Sequence, residues 1–147
     1  MQKVNNKGFT LIETLLVLFI FAVITSISLL HVKPLQESKR IEQFLEQLQN
    51  DIFYAQQYAI SHSDTSRIIF SVSEPYYLLS SGSKNINILT RRYDQSIQFS
   101  QSTLGTILQF NSQGNIQKAG SIKVKYQDET YTITFLLGKG RFYVSKM

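Results

Sequence analysis

The chain has 147 residues, a formal net charge of +5, no cysteine and an apolar fraction of 43%. This length allows one modest domain with an appendage, and the composition argues against intrinsic disorder. The lack of cysteine excludes disulfide bonds and thiolate metal sites, while the mild positive charge is compatible with an anionic partner without identifying one.

The first thirty residues contain one long apolar segment, FTLIETLLVLFIFAVITSISLL, from Phe9 to Leu30. About twenty such residues are enough for a helix to cross a bilayer core. Small hydroxyl side chains such as Thr25 and Ser26 can bond back to the helix and cost little. Glu13 is the only charged residue of the segment. An ionised side chain in lipid costs about 2.5–3.5 kcal/mol, so Glu13 indicates a function.

Two general classes of membrane segment explain only part of this pattern. A cleaved secretory signal also begins with basic residues, here Lys3 and Lys7, but its apolar region is shorter and no clear A-x-A site closes this one. A plain membrane anchor explains the length and leaves Glu13 as an unexplained cost.

The stretch KGFTLIETLLVL resembles the prepilin signature of type IV pilins and pseudopilins. The resemblance implies that a membrane-bound prepilin peptidase cleaves between Gly8 and Phe9 on the cytoplasmic side, and that the new amino terminus of Phe9 is N-methylated. It also implies that Glu13 neutralises the terminal amine of a neighbouring subunit in the fibre. The matching residues are Lys7, Gly8, Phe9, Thr10, Leu11, Ile12 and Glu13.

An assembly role for Glu13 also has a physical basis that does not depend on the resemblance. Helices packed side by side would remove the lipid around this carboxylate, and an amine from another chain would supply its counter-charge. Such a pair sets register, because any other stagger leaves a charge unpaired. The alternative is a protonated, inert glutamate near the bilayer edge.

A second helix is predicted after the apolar segment. Pro34 removes a backbone donor and disfavours helix at Lys33, which predicts a kink or short break there. Apolar residues then recur at spacings of three and four, and we expect Phe53, Tyr54 and Tyr58 to widen this face. We expect the face to pack on the protein's own sheet, with a coiled-coil dimer as the alternative. The apolar positions are Ile41, Phe44, Leu45, Leu48, Ile52, Ala55 and Ala59, and those off the stripe are Glu42, Glu46, Gln49 and Gln56.

Short β-type runs fill the chain after Ser61, separated by turn compositions such as SGSKN, NSQGN and GKG. Apolar and polar residues alternate in SIKVKY and YTITF, and the QDE between these runs predicts a hairpin. We expect a mostly antiparallel sheet of four to seven strands that covers the second helix. The runs are SRIIFSV, YYLLS, NINILT, QSIQFS, TILQF, SIKVKY, TYTITFLL and RFYV.

No motif in the chain predicts catalysis, a cofactor or a metal site. The stretch SHSDTS holds serine, His62 and aspartate together, but triads are built in space, so adjacent letters indicate a solvated loop. His31 flanks the apolar segment and is expected to lie at the membrane interface. No glycine-rich phosphate loop or metal-ligand spacing occurs.

Basic residues beside aromatic residues predict a non-specific contact to the backbone of DNA. The alternative is a solvated strand edge, where lysine also discourages aggregation. The candidate DNA contacts are Lys84, Arg91, Arg92, Lys123 and Lys125.

The sequence therefore predicts an α+β protein, with a long amino-terminal helix packed on a mostly antiparallel β-sheet head. We expect a cleaved leader (1–8), a hydrophobic transmembrane and assembly helix (9–33), an amphipathic helix (34–62) and a globular head (63–147). The layout is similar to that of pilins, and the small cysteine-free head resembles minor pilins of the competence pilus of Gram-positive bacteria.

The resemblance implies a non-enzymatic subunit of a filament that captures external DNA for transformation. Implied partners are other major and minor pilins, the prepilin peptidase, an assembly platform protein, its motor ATPase, the membrane and DNA. The protein would sit in the cell membrane with its amino terminus in the cytoplasm, and then at the cell surface in the pilus. The alternatives are a type II secretion-like pseudopilin and a single-pass membrane-anchored binding module or adhesin.

Overall fold

The computed structural model describes residues 10–30, 32–100, 103–138 and 140–147, of which 27–30 and 32–38 are described by their backbone alone. The chain divides into two compact units, Met1–Arg40 and Ile41–Met147. The described residues form two helices and eight strands: α1 Leu11–Leu30, α2 Val32–Ser61, β1 Ser66–Phe70, β2 Tyr76–Ser81, β3 Asn87–Arg92, β4 Ile97–Ser100, β5 Ile107–Phe110, β6 Gly120–Tyr126, β7 Glu129–Phe135 and β8 Phe142–Lys146.

Helix α1 belongs to the first unit and is regular from its first turn. The carbonyl oxygen of Thr10 accepts hydrogen bonds from the amides of Glu13 and Thr14. The hydroxyl of Thr25 donates to the carbonyls of Phe21 and Ala22 at 2.8 and 3.0 Å, which confirms the predicted back-bonding of hydroxyl side chains. Among the residues that the structure describes, no helix is both long enough and apolar enough to span a bilayer.

Helix α2 begins at Val32, so Lys33 and Pro34 lie inside its first turn. Proline is tolerated there because the amide that it lacks would have no acceptor within the helix. Helix α1 ends at Leu30, and the single residue between the helices, His31, lies outside the described residues.

The second unit contains two four-stranded sheets, in which every strand pair is antiparallel. Sheet 1 has the order β3-β2-β1-β5 and sheet 2 has the order β4-β6-β7-β8. The predicted α+β class is confirmed, and each of the eight β-type runs forms a strand. The predicted single sheet of four to seven strands was wrong. Alternation within a run shows which residues share a face, but not which run pairs with which.

The predicted hairpin at QDE is confirmed. Strands β6 and β7 pair from Tyr126–Glu129 through Gly120–Phe135. Gln127 occupies the first turn position with a φ of 53°, a left-handed conformation that a two-residue hairpin connection requires.

The hydrophobic core lies between the apolar stripe of α2 and the inner faces of both sheets, as predicted. Two sequence-based expectations about α2 were wrong. Phe53 and Tyr54 do not widen the buried face, since about half of each side chain is exposed. Gln56 is buried rather than off the stripe. The core residues from α2 are Ile41, Phe44, Leu45, Leu48, Ile52, Ala55 and Ala59.

Candidate functional site

Helix α1 presents an apolar surface on every side. All described side chains from Thr10 to Ser26 are exposed. Leu11 is 78% exposed and Phe19 is 70% exposed, although both are large and apolar. A helix that is hydrophobic all round requires a surrounding of lipid or of other helices. This surface is therefore suited to packing against neighbours outside the chain.

Glu13 lies in the first turn of this apolar helix. A carboxylate there is favoured by the partial positive charge of the helix amino terminus. None of the ion pairs in the described part of the chain includes Glu13. The predicted cleavage and methylation site, Gly8 and Phe9, lies outside the described residues.

The structure separates the neighbouring residues Arg91 and Arg92. Arg91 is opposite the buried Tyr77 in the register of β2 and β3, whereas Arg92 is opposite Tyr76. Side chains alternate along a strand, so the two guanidinium groups leave opposite faces of sheet 1. Arg92 forms an exposed ion pair with Glu74 at 3.8 Å.

Arg91 is held by a buried carboxylate that the sequence analysis missed. Asp51 of α2 is only 4% exposed. Its Oδ2 accepts hydrogen bonds from Tyr77 Oη at 2.6 Å and Arg91 Nε at 3.1 Å. Its Oδ1 accepts from Gln47 Nε2 at 3.1 Å. Asp51 lies three residues after Leu48 and therefore occupies a position of the apolar stripe. A charged residue at such a position was the signal in the sequence for a buried ion pair.

This network shifts the ionisation of its members. Burial raises the pKa of Tyr77 well above its ordinary value, and the hydrogen bond to Asp51 raises it further, because that bond favours the neutral phenol. The hydrogen bond to Asp51 and the carboxylate charge raise the pKa of Arg91. Tyr77 therefore stays a neutral donor, and Arg91 is committed to Asp51.

The other candidate DNA contacts lie in two separate places. Lys84 is in the turn between β2 and β3 of sheet 1, while Lys123 and Lys125 lie on β6 of sheet 2. The neighbours of the two β6 lysines across the sheet are polar. We call this outer surface of sheet 2 the lysine face, and it contains Gln98, Ser100, Lys123, Lys125, Thr130 and Thr132.

The buried amide of Gln56 joins α2 to the loop between β7 and β8. Its Nε2 donates to the carbonyl oxygen of Gly140 at 2.7 Å. Gly140 has a φ of 58°, and a Cβ there would lie 2.6 Å from Gln56 Nε2 and 2.8 Å from the carbonyl oxygen of Gly114. Glycine is therefore required at this contact on both steric and conformational grounds.

The stretch SHSDTS does not form a triad. The ring of His62 stacks on Tyr58 with 4.0 Å between centroids, and its Nδ1 lies 2.9 Å from Ser61 Oγ. Asp64 instead accepts hydrogen bonds from Ser83 and Ser81, which lower its pKa to about 2. Asp64 thus ties the end of α2 to the β2–β3 turn.

The sequence matches a known family at its amino terminus and a known protein over nearly its full length. The family described as "Prokaryotic N-terminal methylation motif" matches residues 3–29. The chain is similar to the competence protein ComGD of Bacillus subtilis (strain 168), with 34% identity over 142 residues that cover 97% of this chain and 95% of that protein.

A solved structure shows the same fold. The type IV minor pilin FimU of Pseudomonas aeruginosa (strain PAO1) matches with a TM-score of 0.62. The match covers 76% of this chain and 92% of FimU, at 14% identity. The methylation motif, the exposed apolar helix that carries Glu13 and the full-length similarity agree: the chain belongs to the type IV pilin-like family that includes ComGD.

Proposed function

We propose that the chain is a minor pilin of a competence type IV pilus, a filament that captures external DNA for transformation. Full-length similarity to a competence protein supports the competence assignment. The fold, which is that of a minor pilin, supports the role as a filament subunit. The observation that carries the proposal is the apolar helix α1, exposed on all sides and interrupted by a single carboxylate.

In this proposal the leader is removed between Gly8 and Phe9, and Phe9 is N-methylated. The new amino terminus is then four residues before Glu13, as the match to the methylation motif over residues 3–29 suggests. Glu13 pairs with the terminal amine of a neighbouring subunit while the α1 helices pack together. The pair fixes the stagger between subunits, because any other stagger leaves a buried charge unpaired.

The remaining partners follow from this assignment. Before assembly the subunit resides in the cell membrane with its amino terminus in the cytoplasm, where the prepilin peptidase acts. Other pilins, an assembly platform protein and a motor ATPase then build it into a pilus at the cell surface. We assign the subunit no catalytic activity, cofactor or metal, because it acts by packing against neighbouring subunits.

Within the head, the lysine face is the surface best suited to DNA. Lys123 and Lys125 carry two positive charges two residues apart on one strand. Gln98 and Ser100, which are exposed beside them, offer hydrogen-bond donors for phosphate oxygens. Arg91 is less suited because Asp51 already holds it, and Arg92 is neutralised in part by Glu74.

Mass spectrometry of the mature protein tests the proposal, together with transformation assays in a strain that lacks the gene. We expect a polypeptide that starts at methylated Phe9, and transformation that is lost in the deletion strain and restored by the intact gene. A Gly8→Ala variant should keep its leader and restore neither pili nor transformation. A mature protein that starts at Met1, or a deletion that impairs protein secretion and leaves transformation intact, would contradict the proposal.

A further inference from the structure

A groove in the second unit lies between the β1–β2 turn and strand β4. It has a volume of about 480 Å³, within the range of about 300–1,000 Å³ that is typical of ligand sites. Its aromatic lining consists of Phe70, Tyr93 and Phe99. The rings of Phe70 and Phe99 are 4.3 Å apart and those of Tyr93 and Phe99 are 5.4 Å apart, measured between centroids. Phe70 is only 3% exposed, so Tyr93 and Phe99, which are half-buried, provide the part of this aromatic lining that a ligand can reach.

The groove runs along the free edge of β4. All four residues of this strand, Ile97–Ser100, line it. Successive side chains of a strand point to opposite faces, so a groove that touches all four must lie at the strand's edge. The other edge of β4 pairs with β6. Among the described residues, the amide of Ile97 already donates to the carbonyl oxygen of Asp94 at 3.0 Å, and no other strand pairs with this edge of β4. The remaining backbone donors and acceptors of the edge are open to a further strand.

Edge strands usually carry charges, bulges or covering segments that block further pairing. In the described residues β3 has a bulge at Ile88, between its pairings at Asn87 and Leu89, and ends in two arginines. The free side of β5 is covered, since Gln117 donates its amide to the carbonyl of Gln109. Strand β8 carries Lys146. Strand β4, with the sequence IQFS, has no charge and no proline.

The charge of the groove limits what can occupy it. Of the residues that line it, only Glu74 is of a charged type, and Arg92 pairs with it at 3.8 Å from outside the lining. The wall carries no cation, so a phosphate polymer is disfavoured. A peptide with an uncharged backbone and apolar side chains matches the lining. The polar residues of the wall, such as Ser73 and Gln95, can bond the backbone of such a ligand.

We propose that this groove binds an extended segment of a partner protein, which adds to the free edge of β4 as a fifth strand of sheet 2. Main-chain hydrogen bonds to β4 supply the affinity, and apolar side chains at alternate positions of the segment pack on Tyr93 and Phe99. The residue of the partner segment that lies beside Glu74 is neither aspartate nor glutamate, because two carboxylates would repel each other. This inference does not depend on the function proposed above.

A labelled peptide tests this with the full-length chain in detergent micelles. The probe is TYTITF, the sequence of residues 130–135, capped at both ends; it is uncharged and alternates apolar and polar residues. The control peptide TTTYIF has the same composition without alternation. Fluorescence anisotropy measures binding, and hydrogen exchange with mass spectrometry locates it. We expect only the probe to bind, with slower exchange at Ile97–Ser100.

Two groove variants, Ser73→Trp and Gln95→Trp, each place a large side chain in the lining of the site. Each should weaken probe binding by about tenfold or more. Gln113→Trp adds the same bulk on an exposed turn outside the groove and should leave the affinity unchanged. Circular dichroism verifies that all three variants fold.

Three results would overturn the proposal. The first is equal binding of the two peptides, or binding that both groove variants leave unchanged. The second is protection of β3 or β8 in place of β4. The third is protection of β4 that grows with protein concentration in the absence of peptide, since the occupant would then be a second copy of this chain.

Discussion

Asp51 Oδ2 lies 3.1 Å from Arg91 Nε, which joins helix α2 to the edge strand β3 across forty residues of sequence. The Asp51 side chain is buried, and the Arg91 side chain is 46% exposed. Tyr77 on the adjacent strand donates to the same oxygen. One acid thus holds two strands of sheet 1 against α2.

Truncation of Asp51 or Arg91 is expected to destabilise the head. Asp51→Ala should lower the free energy of unfolding by about 2–3 kcal/mol, because the buried Tyr77 hydroxyl loses its acceptor. Arg91→Ala should cost about 1–3 kcal/mol, because the carboxylate stays buried with only neutral donors. Urea unfolding of both single variants and the double variant measures the coupling energy, which should be about 0.5–2 kcal/mol. Arg92→Ala is the matched control, and a cost equal to that of Arg91→Ala would contradict this account.

Glu13→Gln removes the charge of the apolar helix and keeps its shape. An unpaired amine buried between helices costs about 3–5 kcal/mol, so pilus assembly and transformation should both be lost. The thermal stability of the head should not change, since the core lies within Ile41–Met147. Electron microscopy of pili and transformation frequency provide the readouts, with Thr14→Ala as the neighbouring control. Normal piliation in Glu13→Gln would rule out the charge-pairing role.

The hydrogen bonds of Asp64 predict an acid-sensitive contribution to stability. The hydroxyls of Ser83 and Ser81 lower the pKa of Asp64 from 3.8 to about 2. The folded state therefore gains stability from the ionised carboxylate above about pH 4, and this gain disappears as the pH falls from about 4 to about 2. Thermal midpoints of the native chain and Asp64→Asn should differ at pH 7 and converge near pH 2. Asp128→Asn, in the exposed β6–β7 turn, is the control, and a difference that stays constant with pH would refute the prediction.

Gly140→Ala should destabilise the head more than Gly138→Ala. Both glycines have a positive φ, so alanine is strained at either position. Only at Gly140 would the new methyl group also meet Gln56 and the backbone of Gly114, whereas the space around Gly138 is open. We expect an additional cost of about 1–3 kcal/mol at Gly140, measured by urea unfolding. Equal effects at the two positions would show that the packing against Gln56 relaxes freely.

Removal of both charges from the lysine face should weaken binding to DNA of any sequence. For Lys123→Gln/Lys125→Gln we expect the slope of log K against log salt concentration to fall by about two, since each lysine neutralises about one phosphate. Electrophoretic mobility shifts at several salt concentrations measure this slope for the full-length chain in detergent. Lys118→Gln, outside this face, is the control. Binding that does not depend on salt, or an unchanged slope in the double variant, would assign the DNA contact to another surface.

The secondary structure and the helix–sheet contact were predictable because they depend on local patterns. The stripe from Ile41 to Ala59 is buried as its spacing predicts, and all eight β-type runs are strands. The network at Asp51 was not predictable, because its partners Tyr77 and Arg91 are 26 and 40 residues away. Which of two adjacent arginines faces inward depends on strand register, and register is set by pairing.

The order and spacing of residues determine the prepilin motif, the single carboxylate of the apolar helix and the α+β class. They do so because cleavage signals and amphipathic periods depend only on residues that are close in the sequence. The division into two sheets, the capture of Arg91 by Asp51 and the open edge of β4 depend on contacts between segments distant in the chain. Those contacts form only when the head packs, because burial then decides which polar groups must find each other and which strand edge stays unpaired.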